Sequence, residues 1–408
     1  MRRDALYLAL LVGPVACGFE PGGQGSPFVE DAARAEVDGV ADSGSVDPVD
    51  TSVDAGADTV DEGTLDPTWT EKAWAYRRRI DVDGSSLKGD LDGFVVPVVL
   101  TDPGLAGKVS SDGRDLRFVA PDGLALPFEL ARWEPSSGNL MAWVRLPKTG
   151  PTQPNTFFLY YGNADATSSA SPAKTWESET AVWHFDEVTT EGGTTARLVD
   201  ASTLGHDGTQ NGSATAPGVI LGGQRFDGKD VVEVDKPDEI VLGDVDCTFA
   251  VWIRTTEGRQ QGILIKAKGE THELGDKLIG TGHEGPYFGT DHGWVGFTRT
   301  DVAVQDGKWH HVAWVQRKDD KGKAESWKLY VDGVEKGSGQ QETRPDVAGH
   351  TVRIGAKANG SYFDNPWSGD LDELRYAKVA RAPAWIAALE RSQRDPVAFS
   401  KVGPEVAR

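Results

Sequence analysis

Sulfur is scarce in this 408-residue chain, which holds two cysteines and two methionines. Cys17 and Cys247 stand too far apart in sequence to build a framework of bridges, so the fold must rest on its own hydrophobic cores. At this length there is room for two or three domains. Basic side chains are also in deficit, with 42 Lys and Arg against 63 Asp and Glu and a formal charge of -21. A surface of that sign repels phosphate backbones and anionic headgroups, which excludes nucleic acid as a partner. The usual signatures of catalysis are missing as well. There is no Gly-x-Ser-x-Gly elbow, no Gly-x-x-x-x-Gly-Lys-Ser/Thr phosphate loop, no His-Glu-x-x-His pair and no Glu-x-Asp-x-x-Glu strand. What the chain does have is 49 glycines and 13 tryptophans, a composition suited to a turn-rich, aromatic-packed β protein.

The N-terminus begins with Arg2 and Arg3, followed by the apolar run Ala5 to Val12, which is too short to span a bilayer and reads as an export signal. The run ends at Gly13-Pro-Val-Ala-Cys17-Gly18, which resembles the lipobox of bacterial lipoproteins; Pro14 stands where that pattern has Leu. The resemblance implies cleavage before Cys17, its diacylation, and an exported protein lipid-anchored at the bacterial outer membrane or cell surface. Two or three acyl chains give stable anchoring where one does not. A plain signal peptide with an incidental cysteine is the alternative. Residues 18–72 are acidic, small and almost free of aromatics and bases, a composition that cannot offset its chain entropy; we expect a disordered, self-repelling tether.

Residues 73–180 carry five short β-like runs between turn signals, Phe94 to Leu100, Asp115 to Ala120, Ala125 to Trp133, Leu140 to Leu146 and Thr156 to Tyr161, which predict an antiparallel β-sandwich or small barrel. In Leu140 to Leu146 the even positions share an apolar face, as in a half-buried strand. Pro97 restricts its run to an edge or a bulge. Trp74-Ala-Tyr-Arg-Arg-Arg-Ile80, Asp112-Gly-Arg-Asp-Leu-Arg-Phe118, Leu126-Pro-Phe-Glu129, Trp143-Val-Arg145 and Phe158-Leu-Tyr-Tyr-Gly-Asn163 resemble a family of unknown function found in bacterial surface proteins. That family brings no established chemistry. Asp112, Arg114, Asp115 and Arg117 form either a charged site or turn and solvent-facing strand positions.

Residues 181–380 resemble laminin-G-like jelly rolls of the concanavalin A-like group through Trp183-His-Phe-Asp-Glu187, Arg225-Phe-Asp-Gly228, Phe249-Ala-Val-Trp-Ile-Arg254, Trp309-His-His-Val-Ala-Trp314, Leu329-Tyr-Val-Asp-Gly-Val334, Ile354-Gly355 and Gly369-Asp-Leu-Asp-Glu-Leu-Arg375. The physical signals agree with it. Asp332-Gly333 between apolar β segments is a strong hairpin signal, and Trp252, Trp309 and Trp314 can fill a sandwich. His310 and His311, adjacent on a strand, point to opposite faces and cannot share one metal. Cys247, beside Asp244 and Asp246, reads as a buried small hydrophobe rather than a reactive thiolate. The resemblance implies one structural Ca²⁺ held by Asp186 or Glu187, the backbone of Gly228, and Asp372, hard oxygen donors suited to that ion; the alternative is that Asp372 ends a strand or caps a turn. Residues 381–408 begin with a Pro-initiated helix whose Trp385, Ile386 and Leu389 form one apolar stripe, read as a short docking helix followed by a tail.

Three functions compete on this reading. The first is a tethered, non-catalytic module that recognises a glycan or an envelope or extracellular protein, with Tyr287, His292, Trp294, Tyr362, Asn365 and Trp367 as ligand contacts, each aromatic being equally open to a place in the core. The second is a structural or assembly part of the envelope without soluble ligand. A glycoside hydrolase of laminarinase-like fold is the third, disfavoured by the missing carboxylate motif.

Overall fold

A computed structural model of the chain describes residues 69–186, 194–268, 276–282, 285, 287–291, 297–319, 324–342, 346, 348–355 and 365–408. All of them lie in one of the chain's two units, Glu62–Arg408. The other unit, Met1–Asp61, with the expected export signal and Cys17, lies outside the described residues, as does most of the expected tether. The protein is built from antiparallel sheets with few helices, and among the described residues no helix is long and apolar enough to cross a membrane.

In the first domain the five β-like runs become the strands Val95–Thr101, Arg117–Val119, Phe128–Glu134, Asn139–Arg145 and Thr156–Tyr161. Val95–Thr101, Asn139–Arg145 and Phe128–Glu134 form one sheet in that order. Pro97 therefore sits on an edge strand, where its missing N–H breaks no ladder. The facing sheet contains two strands that alternation does not reveal. One is Tyr76–Val82, whose three consecutive arginines hide the period: Arg77 is buried between the rings of Trp69 and Phe158, and Arg78 donates to the Tyr161 hydroxyl. The other is Ser400–Ala407, the last strand of the chain, which pairs with it from Tyr76↔Ala407 to Val82↔Ser400. Residues 381–408 thus end in a strand rather than a loose tail. Gly403 and Pro404 stand where the ladder is irregular opposite Arg79, and at such a bulge Pro costs no hydrogen bond. The first domain is consequently discontinuous, with the second domain inserted between Thr156–Tyr161 and Ser400–Ala407.

The Asn139–Arg145 strand departs from the half-buried expectation. Leu140, Ala142 and Val144 face the first domain's core, and Met141 and Trp143 on the opposite face are buried too, against Trp176 and against Val182 and Ile220 of the second domain. A sheet covered on both sides needs apolar residues at consecutive positions, which erases the alternation.

The second domain stacks two eight-stranded antiparallel sheets. One runs Thr194–Leu198, Gly208–Asn211, Val231–Val234, Thr351–Ile354, Gln261–Ala267, Lys277–Thr281, Tyr287–Asp291, Phe297–Ala303. The other runs Ala214–Pro217, Gly222–Asp227, Ser368–Ala377, Cys247–Arg254, His310–Lys318, Ala324–Val331, Val334–Glu342, with Ala181–Trp183 also paired to Ser368–Ala377. Between them lies a core that includes Cys247, Phe249, Trp183, Trp314, Trp327 and Trp367. The Asp332-Gly333 hairpin forms as the sequence predicts, with both turn residues at positive φ and Val331 opposite Val334. Trp252 and Trp309 do not fill this core. Trp252 is buried on the sheet's other face, where its Nε1 donates to Gln393 (2.7 Å), and Trp309 is half-buried.

The helix Pro383–Arg394 closes the gap between the domains. Its stripe of Trp385, Ile386 and Leu389 is buried as expected, with the Trp385 ring edge-on to Phe94 at 5.0 Å, in a cluster that also takes Ala250, Ala313 and Tyr330 from the second domain.

Candidate functional site

Two groups of polar side chains lie on the helix-facing side of the Ser368–Ala377 sheet. The first is a cleft at the sheet's end. Register places Arg225 and Arg254 on either side of Asp370, on the neighbouring strands Gly222–Asp227 and Cys247–Arg254. Asp370 Oδ1 accepts from Arg225 Nε at 2.7 Å, and Oδ2 accepts from Arg225 Nη2 at 3.2 Å and Arg254 Nε at 2.7 Å. One carboxylate, its side chain 4% exposed, thus orients two guanidiniums. Arg254 is held from behind by the Trp309 ring, 4.7 Å away. The cleft these residues line, with Thr255, Thr256 and Gly369, has a volume of about 490 Å³ and opens to solvent. Arg225 is the accessible member, its side chain 60% exposed.

The second group is buried at the junction of the domains. His184 Nδ1 lies 2.6 Å from Glu373 Oε1, and its Nε2 lies 3.4 Å from Glu129 Oε2 on the first domain. The His184 ring stacks on Trp143 at 5.5 Å, Trp176 Nε1 donates to Glu129, and the Arg375 guanidinium covers both indoles while donating to Glu373 at 2.9 Å. Burial opposes the charge on His184, but Glu373 and Glu129 outweigh it and hold the imidazole well above its ordinary pKa. Glu373 is buried as well, yet His184 and Arg375 keep it below the usual carboxylate range. Both ring nitrogens of the imidazolium then donate, one to each domain. Glu373 adopts φ +51° at a bulge where it and Leu374 oppose the single residue Val251, a left-handed conformation that is strained for a side-chain-bearing residue. Its ion pair explains why the strain is tolerated.

The calcium set does not assemble. Asp372 Oδ2 accepts the amides of Val219 (2.6 Å) and Ile220 (2.9 Å), an approach so close that a Cβ on Gly218 would sit 2.6 Å from it. Burial, then repulsion from Glu373, pushes Asp372 well above its ordinary pKa. Asp186 lies beside Gly222, and burial raises it too. Gly228 is at the far end of the same strand: Asp227 pairs with Ser368, four residues along from Asp372, a separation on the order of 13 Å or more. Glu187 lies outside the described residues. Among the described residues no group of three or more His, Cys, Asp or Glu is placed to hold a metal.

Of the expected ligand residues, Trp367 must be withdrawn, being fully buried in the core. Asn365 is half-buried, with its carbonyl accepting from Gly262, and half-buried Tyr287 lies under the Arg299 guanidinium at 4.5 Å. His292, Trp294 and Tyr362 lie outside the described residues. His310 and His311 diverge as expected: His310 bridges Asp332 (2.8 Å) and Asp306 (3.1 Å), while buried His311 faces Trp252. In the first domain Asp115 is a structural tie, accepting the amides of Ser110, Gly162 and Asn163, and Arg117 pairs with Glu71 over Trp74. Asp112 and Arg114 form an exposed pair. Arg225 and Arg254 stand in the family-like runs Arg225 to Gly228 and Phe249 to Arg254, which by themselves assign them no role. Their shared placement at strand ends flanking Asp370 was the available signal, but it needed the strand order.

A model of the concanavalin A-like lectin/glucanases superfamily matches residues 226–387, and a model of a domain of unknown function matches residues 112–197. The chain therefore contains both kinds of domain. No curated protein matches it. Among solved structures, domain 4 of the GH43 extracellular arabinanase AbnA from Geobacillus stearothermophilus, in complex with arabinotriose, is 19% identical, with 52% of this chain and 98% of that chain covered and a TM-score of 0.40. The sialidase CBM40 of Ruminococcus gnavus, bound to α2,3-sialyllactose, is 15% identical over 48% of this chain and all of that one, with a TM-score of 0.33.

Proposed function

We propose that the chain is an exported envelope protein, lipid-anchored through Cys17, whose second domain is a non-catalytic glycan-binding module using the Arg225–Asp370–Arg254 cleft. The observation that carries the reading is the cleft itself. Hydrogen-bond donors in fixed orientation, an exposed hydroxyl at Thr256 and a half-buried tryptophan behind them are what a polyhydroxylated ligand requires. Hydrolysis would need a carboxylic acid and a second carboxylate free to act on opposite sides of a bond. In this cleft both oxygens of Asp370 are occupied by guanidinium donors, and Asp227 is turned back to the amide of Lys229 (2.8 Å).

A glycan array probed with the full chain in detergent tests the binding. Signal on a defined glycan class, reduced at least tenfold by Trp309→Ala in a protein that still unfolds cooperatively, is the expected result. Silence across the array, or sustained release of reducing sugar from a bound glycan, defeats the non-catalytic binding reading. The anchor is tested by fractionating native cells: wild-type chain partitions with membranes, and Cys17→Ala is released to the soluble fraction.

A further inference from the structure

The rim of the cleft carries more charge than the three central residues, and its pairing is uneven. Lys229 faces Asp227 at 3.6 Å, Arg259 faces Glu257 at 3.6 Å, and Lys308 faces Asp306 at 3.0 Å. Each of these cations has a carboxylate partner, Asp306 being shared with His310. Asp370 alone serves two guanidiniums, which leaves one positive charge in surplus at this spot on a chain of net charge -21. The surplus is also directional. Arg225 and Arg254 spend Nε and Nη2 on Asp370, and among the described residues neither Nη1 has a protein partner. Thr255 is committed elsewhere, its hydroxyl donating to Ser368 O at 2.6 Å. Two forked donors fixed by one buried carboxylate, with their outer N–H groups unspent, form a receptor for a planar or tetrahedral oxyanion.

Building on the glycan reading, we infer that the cleft selects anionic glycans, seating a carboxylate or sulfate ester of the sugar against the Nη1 groups of Arg225 and Arg254 while the neutral hydroxyls meet Thr256. The other carboxylate lining the cleft, Asp227, is engaged within its own turn by the Lys229 amide and ammonium and does not close the site to an anion.

The test is an array displaying neutral, uronic, sialylated and sulfated glycans, read with the full chain, with Arg225→Gln and with Arg225→Lys. The inference expects signal confined to acidic glycans, a loss of at least tenfold in Arg225→Gln, partial retention in Arg225→Lys, and binding that weakens as salt rises. Carboxylated and sulfated hits are separate spots, so the array also tells which oxyanion is taken. Signal on neutral glycans that Arg225→Gln leaves unchanged overturns this inference and keeps the glycan reading. No signal on any glycan from chain with an intact unfolding transition removes both.

Discussion

The two domains solve the same problem, closing a β-sandwich, by opposite routes. The second runs without interruption from Ala181 to Ala377, whereas the first takes its edge strand from Ser400–Ala407, more than two hundred residues after the rest of its fold. A domain's edge in sequence is therefore not its edge in space. The helix Pro383–Arg394 and the His184 bridge join the two, so each domain covers surface that the other would expose.

The strongest way to break this contrast is to delete residues 381–408. We expect the first domain to lose its protection while the second persists, so limited proteolysis with mass mapping should place new cuts within 73–176; cuts confined to 181–377 would contradict the insertion. A smaller blow is Trp385→Ala, which opens a cavity between the domains and should cost about 3–5 kcal/mol in denaturant unfolding. His184→Ala should cost up to about 3–5 kcal/mol by leaving Glu373 and Glu129 without their shared cation in a buried setting, and an unfolding midpoint equal to wild type would show that the bridge contributes nothing.

That bridge also sets a pH dependence. His184 has a folded pKa raised above its unfolded value, about 6.5, so its contribution is whole below that value and is lost as pH climbs through the raised one. Glu129 and Glu373 are lowered, and their contribution is present above their unfolded pKa and lost as pH falls through the folded values. Thermal midpoints should fall on both flanks, and His184→Gln should flatten the alkaline one. His310, raised by Asp332 and Asp306, shares that flank, so His310→Gln is the needed companion. The smallest effects separate two aspartates three residues apart: Asp115→Asn weakens a carboxylate accepting three amides and should cost about 1–3 kcal/mol, while Asp112→Asn at the exposed turn should leave the unfolding midpoint unmoved.

Elements with a local signal were legible in the chain. The Asp332-Gly333 hairpin, the apolar stripe of the C-terminal helix and the edge position of Pro97 each follow from a few neighbouring residues. What was hidden depended on distant partners. Tyr76–Val82 reads as a basic run until Tyr161, Trp69 and Phe158 take up its arginines, and Ser400–Ala407 reads as a tail until Tyr76–Val82 is there to pair with it. Trp367 looked like an aromatic for a sugar because nothing near it in sequence says which side of the sheet it occupies. The cleft was half legible: Asp370 stands in the family-like run Gly369 to Arg375, but its two arginines meet it only through the strand order.

The pairing of Tyr76 with Ala407 puts the entry and exit of the folded unit at the same corner, where Arg408 N donates to Ala75 O at 3.0 Å. Tension applied between those two points would load the ladder's hydrogen bonds singly, starting from that corner, and unzip it at low force. A pull that entered at Tyr76 and left through the second domain would take a different path, through the helix and the His184 bridge, and the resistance along that path would be set there.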